Sequence, residues 1–225
     1  MTTASPLQPY FLEHRLLVDT SSLLPSHSLQ THPRRYTQFL ALSHLAGKTF
    51  VGTSSSAGAV EKKETKKEKK QAGAPAPDNT APMSIVSLPS GASAEEFFVT
   101  VTRKMEPLWA FRSGIKVEGG AGFQLRDGEW RVRIGDAKVS IGQGQGRVRG
   151  VIVELESAGD GDEADLDWAA REKTLRSLWD ALVRGSGVNM DGLRVVVKVP
   201  GVEEGEGRDM VLVRQYMELL KFART

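Results

Sequence analysis

The pattern of apolar and polar positions predicts strands throughout the first part of the chain. Apolar residues have strand spacing in "HRLLVD" (14–19), "RYTQFLALSH" (35–44) and "KTFVGT" (48–53). The second run alternates, which assigns its residues to two faces: Tyr36, Gln38, Leu40 and Leu42 on one, and Thr37, Phe39 and Ala41 on the other. The short glycine-containing stretch "HLAGK" predicts a hairpin turn between the last two strands.

A long polar segment, residues 54–82, interrupts this pattern. It is rich in Ser, Ala, Gly and Pro at both ends and carries "EKKETKKEKK" in the middle. Because it offers almost nothing apolar to bury, ordering it would cost backbone entropy without compensation. We therefore predict a disordered insertion within a single domain that spans residues 1–225. The run from Lys62 to Lys70 is either a solvated linker or a nuclear-localisation patch.

Strand and helix patterns alternate after this segment. "SIVSLP" (84–89) predicts a strand, and apolar residues at helical spacing predict a helix over residues 93–108, with Ser93 and Glu96 as its capping box. "GIKVEGG", "GFQLRDGEWRVRIGDAKVS" and "RVRGVIVELE" are strand-rich runs divided by glycine turns. Within "EWRVRIGD" one face is predicted to be core and the other to be wet: Trp130, Val132 and Ile134 against Arg131 and Arg133.

The C-terminal part predicts two further helices around one strand. "DEADLDWAAREKTLRSLWDALVRGSG", from Asp162, begins acidic and ends at Arg184 and Gly185, as a helix dipole and C-cap favour. "GLRVVVKVP" (192–200) predicts a buried strand, and "RDMVLVRQYMELLKFART" predicts a terminal helix. The predicted fold class is α+β, a mostly antiparallel, barrel-like sheet flanked by about three helices.

Composition narrows the chemistry. The chain of 225 residues is 40% hydrophobic and 26% charged, which predicts a soluble intracellular protein. It has no cysteine, which excludes disulfides, thiolate nucleophiles, zinc ribbons and iron–sulfur clusters. The net charge of +2 is too small to indicate nucleic-acid binding by itself.

The glycine-rich loop "IGQGQGRVRG" does not have the form of a phosphate-binding loop. Gly142, Gly144 and Gly146 are spaced two apart and a strand follows, whereas a dinucleotide fingerprint opens a helix. The Gly-Lys-Ser/Thr sequence of a P-loop is also missing. We predict a hairpin connection without a ligand.

"VELE" raises a metal hypothesis. Glu154 and Glu156 are two apart on a predicted strand, so both carboxylates face the same side. Such pairs inside a closed barrel hold a divalent cation against phosphates in tunnel-type RNA triphosphatases. The other Glu-x-Glu pair, Glu204 and Glu206, lies in a predicted loop. Two interpretations remain open: a metal-dependent phosphohydrolase that uses Glu154 and Glu156, or a solvated strand end.

The remaining candidates are weaker. The four histidines, His14, His27, His32 and His44, lack metal-site spacing, so no metal, cofactor or catalytic residue is assigned. Arginines on successive predicted strands form either a basic stripe of a nucleic-acid-binding module or ion pairs on a wet face: Arg131, Arg133, Arg147 and Arg149.

Four segments together resemble a known family. "FLEHRLLVDTSSLLPSH", "HPRRYTQFLALSHLAGKTFV", "TRKMEPLWAFRSGIKVEGGAGFQLRDGEWRVRIGDAK" and "VRQYMELLKF" are similar to the fungal form of Mediator complex subunit 20, the TBP-related head-module subunit. The resemblance covers nearly the whole chain apart from residues 54–82. The family usually begins with a further apolar strand and helix before "PYFLEH", and either a short gene model or an open barrel edge is expected here.

The resemblance implies a function. It implies a non-enzymatic, nuclear coregulator in the Mediator head module that acts on RNA polymerase II indirectly. It implies a barrel related to that of Mediator subunit 18, a heterodimer with that subunit, and attachment to the rest of the head through the C-terminal segment of subunit 8. No cofactor, membrane or sequence-specific nucleic acid is implied.

A protein of this kind acts through its surface, and aromatic residues and methionine are favoured at interfaces. Six apolar residues, most of them aromatic or methionine, follow the first predicted helix or lie on the last one: Trp109, Phe111, Tyr216, Met217, Leu220 and Phe222. They are either partner-interface residues or core.

Overall fold

The computed structural model describes residues 4–20, 35–55, 83–106, 108–125, 128–141, 146–157, 168–189, 191, 194–198 and 207–221. Several predictions fall outside these ranges: most of the 54–82 insertion with its lysine run, Gly142 and Gly144 of the glycine loop, and Glu204 with Glu206. His27, His32 and Phe222 lie outside them as well.

The described strands form one antiparallel sheet. Their order is β5-β4-β3-β2-β6-β7-β8, and β1 pairs with β6. The strands are β1 (Ala4–Pro6), β2 (Tyr10–Asp19), β3 (Arg35–Leu42), β4 (Lys48–Ser55), β5 (Ser84–Pro89), β6 (Trp109–Leu125), β7 (Trp130–Ile141) and β8 (Arg147–Ser157). The predicted strands before and after residues 54–82 are confirmed, and β2 begins earlier than predicted because the alternation extends back to Tyr10.

Three longer helices accompany the sheet within the described residues: α1 (Ala92–Val99), α2 (Trp168–Ser186) and α3 (Arg208–Lys221). A π-helical turn, Thr100–Lys104, continues α1, and a 3-10 turn, Ser43–Leu45, follows β3. The predicted fold class, a mostly antiparallel sheet with helices, is confirmed. No helix in these parts of the chain has the length and hydropathy to cross a bilayer.

The prediction for the first helix is wrong at both ends. Its N-cap is Gly91 with φ 94°, a left-handed value that favours glycine, and no side chain caps the helix. Ser93 therefore lies inside the first turn and forms no capping box. The helical turns end at Lys104, because Trp109 already begins β6.

The strand predicted at 192–200 is also wrong where the structure describes it. Residues 194–198 form no strand, and Val195, Val196 and Val197 are all exposed. A run of β-branched residues favours an extended chain, but a strand also needs a neighbouring edge with which to pair. Lys198 of this segment instead contacts α3 through Glu218.

The inner face of the sheet, defined as the face that α3 covers, carries the larger core. Apolar side chains of α3 pack against those of β2, β3, β4 and β6: Val213, Tyr216, Met217 and Leu220 against Tyr10, Leu12, Leu40, Phe50 and Val117. Gly52 on β4 is required here, since a Cβ at that position would overlap the Met217 sulfur. Helix α3 thus lies directly on the backbone of the central strands.

The opposite, outer face carries a smaller core beneath α1. Leu17, Phe39, Val51 and Val101 form this core, and Phe98 packs against it. The Phe98 ring meets Phe39 edge-on at 5.2 Å between centroids. Phe97 lies at the margin of this core, 43% exposed, with its ring centroid 5.8 Å from that of Phe39. The central strands are consequently covered on both faces.

Candidate functional site

A buried polar cluster joins β7, β8 and α3 on the inner face. Glu154 of β8 pairs in register with Arg133 of β7, and the Arg133 guanidinium donates to its carboxylate. The Tyr216 hydroxyl of α3 donates to the second carboxylate oxygen of Glu154. Because the Tyr216 hydroxyl hydrogen is engaged in the bond to Glu154, the Tyr10 hydroxyl of β2 donates to the Tyr216 oxygen across 2.9 Å. Four side chains from four elements thus form one buried network, in which Arg133 and Tyr216 donate directly to the Glu154 carboxylate.

Glu156, two residues further along β8, extends the cluster to the start of α3. Arg133 Nη1 donates to Glu156 Oε2 at 2.9 Å, and Arg208 Nη2 donates to Glu156 Oε1 at 2.7 Å. Arg131 Nη1 lies 3.3 Å from the same Oε1 atom. Arg208 also donates to the carbonyl oxygen of Ser157 at 3.0 Å. These bonds fasten the first turn of α3 to the end of β8.

The ionisation of the cluster follows from these contacts. Burial alone would raise the pKa of Glu156, but the hydrogen bond and charge of Arg133, with the charges of Arg208 and Arg131, outweigh it and lower that pKa. Burial raises the pKa of Tyr216 well above its usual value, and the nearby Glu154 carboxylate adds to the rise. Burial likewise raises the pKa of Tyr10. Near neutral pH, Glu156 is therefore charged and both phenols keep their protons.

His44 lies beside the cluster. Its Nε2 atom is 3.6 Å from Glu154 Oε1, and neither ring nitrogen has a hydrogen-bond partner among the described residues. Burial lowers the pKa of His44, even though Glu154 acts in the opposite direction. The imidazole is therefore neutral near pH 7 and acts as a packing group against Tyr10, whose ring centroid is 6.4 Å away.

This arrangement bears on both interpretations of Glu154 and Glu156. The two carboxylates do face one side, as predicted. That side is the inner face, where Glu154 is buried and Glu156 is partly buried, so the solvated strand end is wrong for Glu154. Their oxygens already accept hydrogen bonds from Arg133, Arg208 and Tyr216. No group of three or more His, Asp or Glu residues in the described ranges is arranged to hold a metal ion. The geometry is that of a structural joint, by which we mean a set of ion pairs and hydrogen bonds that holds α3 against β7 and β8.

The wet face predicted for β7 is corrected in the same way. Arg133 is 8% exposed and lies on the inner face. On the other face Trp130 and Val132 are buried as predicted, at 5% and 8%, whereas Ile134 is 40% exposed. Arginine occurs inside because its guanidinium matches two buried carboxylates. The basic stripe does not form, since Arg131 and Arg133 form ion pairs with glutamates. Arg147 lies at the other end of the β7–β8 ladder, opposite Val139, and not beside these two arginines.

The structure separates the six predicted interface residues. Tyr216, Met217 and Leu220 belong to the core of the chain itself, which contradicts a surface role for these three. Trp109 packs beside the core under α1, and Phe111 is opposite Leu17 in the strand register; both are half-buried. Phe222 lies outside the described residues. Among the five described residues of the six, Trp109 and Phe111 remain compatible with the interface prediction, because both are partly exposed.

A surface that the sequence analysis missed lies on the outer face of β6, β7 and β8. It displays four large apolar side chains with substantial exposed fractions: Phe123 (39%), Ile134 (40%), Val148 (54%) and Val151 (57%). The available signal was the run "RVRGVIVELE", in which apolar residues occupy both faces of one strand. A strand with two apolar faces predicts cover on both sides, and the first half of β8 has none.

Among the comparisons with known proteins, the family match agrees with the sequence-based resemblance. A family model described as the TATA-binding related factor (TRF) of subunit 20 of the Mediator complex matches residues 2–221. No curated protein matches the chain. Among solved structures, that of the PH1819 protein from Pyrococcus horikoshii OT3 is similar at 8% identity with a TM-score of 0.34, covering 82% of this chain and 80% of that one.

Proposed function

The chain belongs to the family of the TATA-binding related factor of Mediator subunit 20, and on that premise we propose that it is a non-enzymatic subunit of the Mediator head module. Membership of this family makes it a Mediator subunit with a role in transcription. We assign its action to protein–protein contact: it pairs with Mediator subunit 18, joins the head through the C-terminal segment of subunit 8, and affects RNA polymerase II indirectly in the nucleus.

The observation that carries the proposal is the family match over residues 2–221. The polar cluster supports it, because the carboxylates that an enzyme of the tunnel type would offer to a cation are engaged by arginines and a tyrosine. The apolar outer face of β6 to β8 supports it as well, since exposed apolar surface of this kind is typical of proteins that bind other proteins.

Co-expression with Mediator subunit 18 of the same organism tests the proposal. The tagged full chain should elute from a size-exclusion column together with subunit 18 in equal proportion. The C-terminal segment of subunit 8 should then bind the heterodimer but not the isolated chain. A folded chain that elutes separately from subunit 18 at micromolar concentration would overturn the heterodimer.

A second experiment separates the proposal from the metal-dependent alternative. The purified chain is incubated with a nucleoside triphosphate and Mg²⁺ or Mn²⁺, and phosphate release is followed. We expect none above that of a Glu154→Gln, Glu156→Gln double variant. Metal-dependent release that this double variant loses would overturn the non-enzymatic assignment.

A further inference from the structure

The first half of β8 is exposed in a way that no other long strand of the described sheet repeats. Every residue from Arg147 to Val151 is exposed, whereas Ile152 and Glu154 further along the strand are buried. Strand β8 ends the sequence of paired strands in the described sheet, next to β7. An edge strand directs alternate backbone N–H and C=O groups away from its neighbour, where another strand can bind them.

The side chains beside this edge are apolar on the outer face. Val151 pairs in register with Asp136 and Val148 with Lys138, so both valines project from the outer face. They are 57% and 54% exposed, and Ile134 on β7 continues the apolar surface. The two valines are three residues apart and share the outer face because of the irregularity between the pairs at Lys138 and Ala137. Their β-branched side chains match apolar side chains of an added strand.

Two arginines give the edge a positive charge. Arg147 lies on the inner-face side, opposite Val139, and Arg149 is the extra residue of a bulge between the pairs Val148–Lys138 and Gly150–Ala137. Neither takes part in an ion pair within the described part of the chain, in contrast to Arg131 and Arg133. Asp136 is the acidic neighbour on the outer face. An added strand with acidic residues near the arginines complements this charge.

We propose that the edge of β8 from Arg147 to Val151 is the site at which a strand of the partner subunit adds to the sheet. The incoming strand carries apolar side chains on the outer face, against Val148 and Val151, and acidic side chains near Arg147 and Arg149. Main-chain hydrogen bonds supply the affinity and these side chains supply the register. The inference rests on the proposed function, since the partner subunit is that of the proposed heterodimer.

Charge argues against a second copy of this chain as the occupant. Two β8 edges paired antiparallel about Arg149 would bring the arginines of both copies close together. Like charges on adjacent strands destabilise the pairing. A partner strand with acidic residues removes this repulsion and matches the positive edge.

The test uses the full chain, purified Mediator subunit 18 of the same organism, and two matched lysine variants. Val151→Lys places a charge on the proposed edge, and Val86→Lys places one on β5 at the opposite edge, where Val86 is 58% exposed against 57% for Val151. Thermal unfolding of both variants shows whether the fold is kept. We expect Val151→Lys to weaken binding about tenfold or more and Val86→Lys to leave it unchanged.

A charge-reversed variant tests the edge without touching its apolar side chains. Arg147→Glu combined with Arg149→Glu should also weaken binding about tenfold or more, and it should weaken the salt dependence of the wild-type affinity. Hydrogen exchange should slow at residues 147–151 when subunit 18 binds, while the β5 amides stay unchanged. Protection at the edge distinguishes strand addition from contact with the outer face alone.

Each outcome has a distinct meaning. If the wild-type chain does not bind subunit 18, the proposed function fails and this inference fails with it. If the wild type binds and folded Val151→Lys binds equally well, or binding leaves residues 147–151 unprotected, the edge inference fails while the heterodimer stands. If the wild type self-associates and Val151→Lys abolishes that association, the occupant is a second copy and the proposed partner is wrong.

Discussion

The central and the outer strands of the sheet differ in what covers them. Strands β3 and β4 lie between α3 on the inner face and α1 on the outer face, and most residues of β3 are buried. Strand β8 is covered on its inner face over its second half, through the polar cluster. Its first half pairs with β7 but is exposed on both faces and at its free edge. The same sheet thus has a closed centre and an open end.

The difference shows that this chain stabilises its two regions by different means. In the centre, apolar side chains of α3 meet apolar strands, so stability comes from removing that surface from water. At the second half of β8, charged and phenolic groups fasten α3 through directed hydrogen bonds. The first half of β8 has neither, which is why we assign it to a partner.

Met217→Ala should have the largest effect on stability. Met217 is fully buried on α3, directly over Gly52, so truncation leaves a cavity against backbone that cannot follow it. We expect a loss of about 2–5 kcal/mol in the free energy of unfolding, measured by denaturant titration. A loss below about 1 kcal/mol would show that α3 does not close the centre of the sheet.

Acidification should weaken the closed centre through His14. Burial lowers the pKa of His14 from 6.5 to about 4, although the hydrogen bond with Gln38 acts in the opposite direction. Above pH 6.5 the histidine is neutral in both states, so its contribution is constant. As the pH falls from about 6.5 to 4, His14 becomes protonated in the unfolded state but stays neutral in the folded state. This difference lowers the free energy of unfolding by up to about 3 kcal/mol.

The measurement is the slope of the unfolding free energy between about pH 7 and pH 5. His14→Leu should reduce this slope because the titrating group is gone. The variant should also be less stable at pH 7, since buried Gln38 loses its hydrogen-bond partner. The comparison is made between His44→Gln and the His14→Leu, His44→Gln double variant. Removing His44 is necessary because its own lowered pKa also makes the free energy of unfolding fall with pH. An unchanged slope in His14→Leu would show that His14 titrates normally in the folded chain.

Glu154→Gln should have an intermediate effect, because it removes one carboxylate of the polar cluster while keeping the side chain's shape. Tyr216 can still donate to the amide oxygen, but buried Arg133 is left with one carboxylate partner, Glu156. We expect a loss of about 1–3 kcal/mol in the free energy of unfolding. Glu118→Gln removes the exposed ion pair with Lys138 and should cause no measurable change. Equal effects of the two variants would contradict a stabilising role for the cluster.

Val151→Ala should have the smallest effect and completes the comparison with Met217→Ala. Val151 is 57% exposed, so removing its two methyl groups opens no cavity in the isolated chain. We expect the free energy of unfolding to change by no more than about 0.5 kcal/mol. A loss comparable with that of Met217→Ala would mean that the first half of β8 is part of the closed core.

Local patterns predicted the elements well because their information is local. The alternation in residues 35–42 assigned Tyr36, Leu40 and Leu42 to one face correctly, and Gly47 with φ 81° makes the predicted turn into β4. The ends of α1 were missed because the positive φ of Gly91 and the start of β6 override helical spacing. The strand predicted at 192–200 was wrong because its pairing edge is a tertiary property.

The candidate site was predicted in its parts and missed as a whole. The spacing of Glu154 and Glu156 showed that both carboxylates share a side, and the alternation of β7 showed that Arg131 and Arg133 share one. Neither pattern could show that these two sides are the same buried face. That depends on the β7–β8 register and on Tyr216, which is 62 residues away from Glu154 in the chain.

The sequence by itself determined most of the strands, the presence of the helices, the absence of cysteine chemistry and the family resemblance, because propensity, periodicity and composition depend on neighbouring residues. Only the tertiary structure decided which faces of β7 and β8 are buried. It placed Tyr216, Met217 and Leu220 in the core, made a structural joint of Glu154, and left the first half of β8 open. The physical reason is that burial depends on which distant element covers a face, and no local pattern encodes that element.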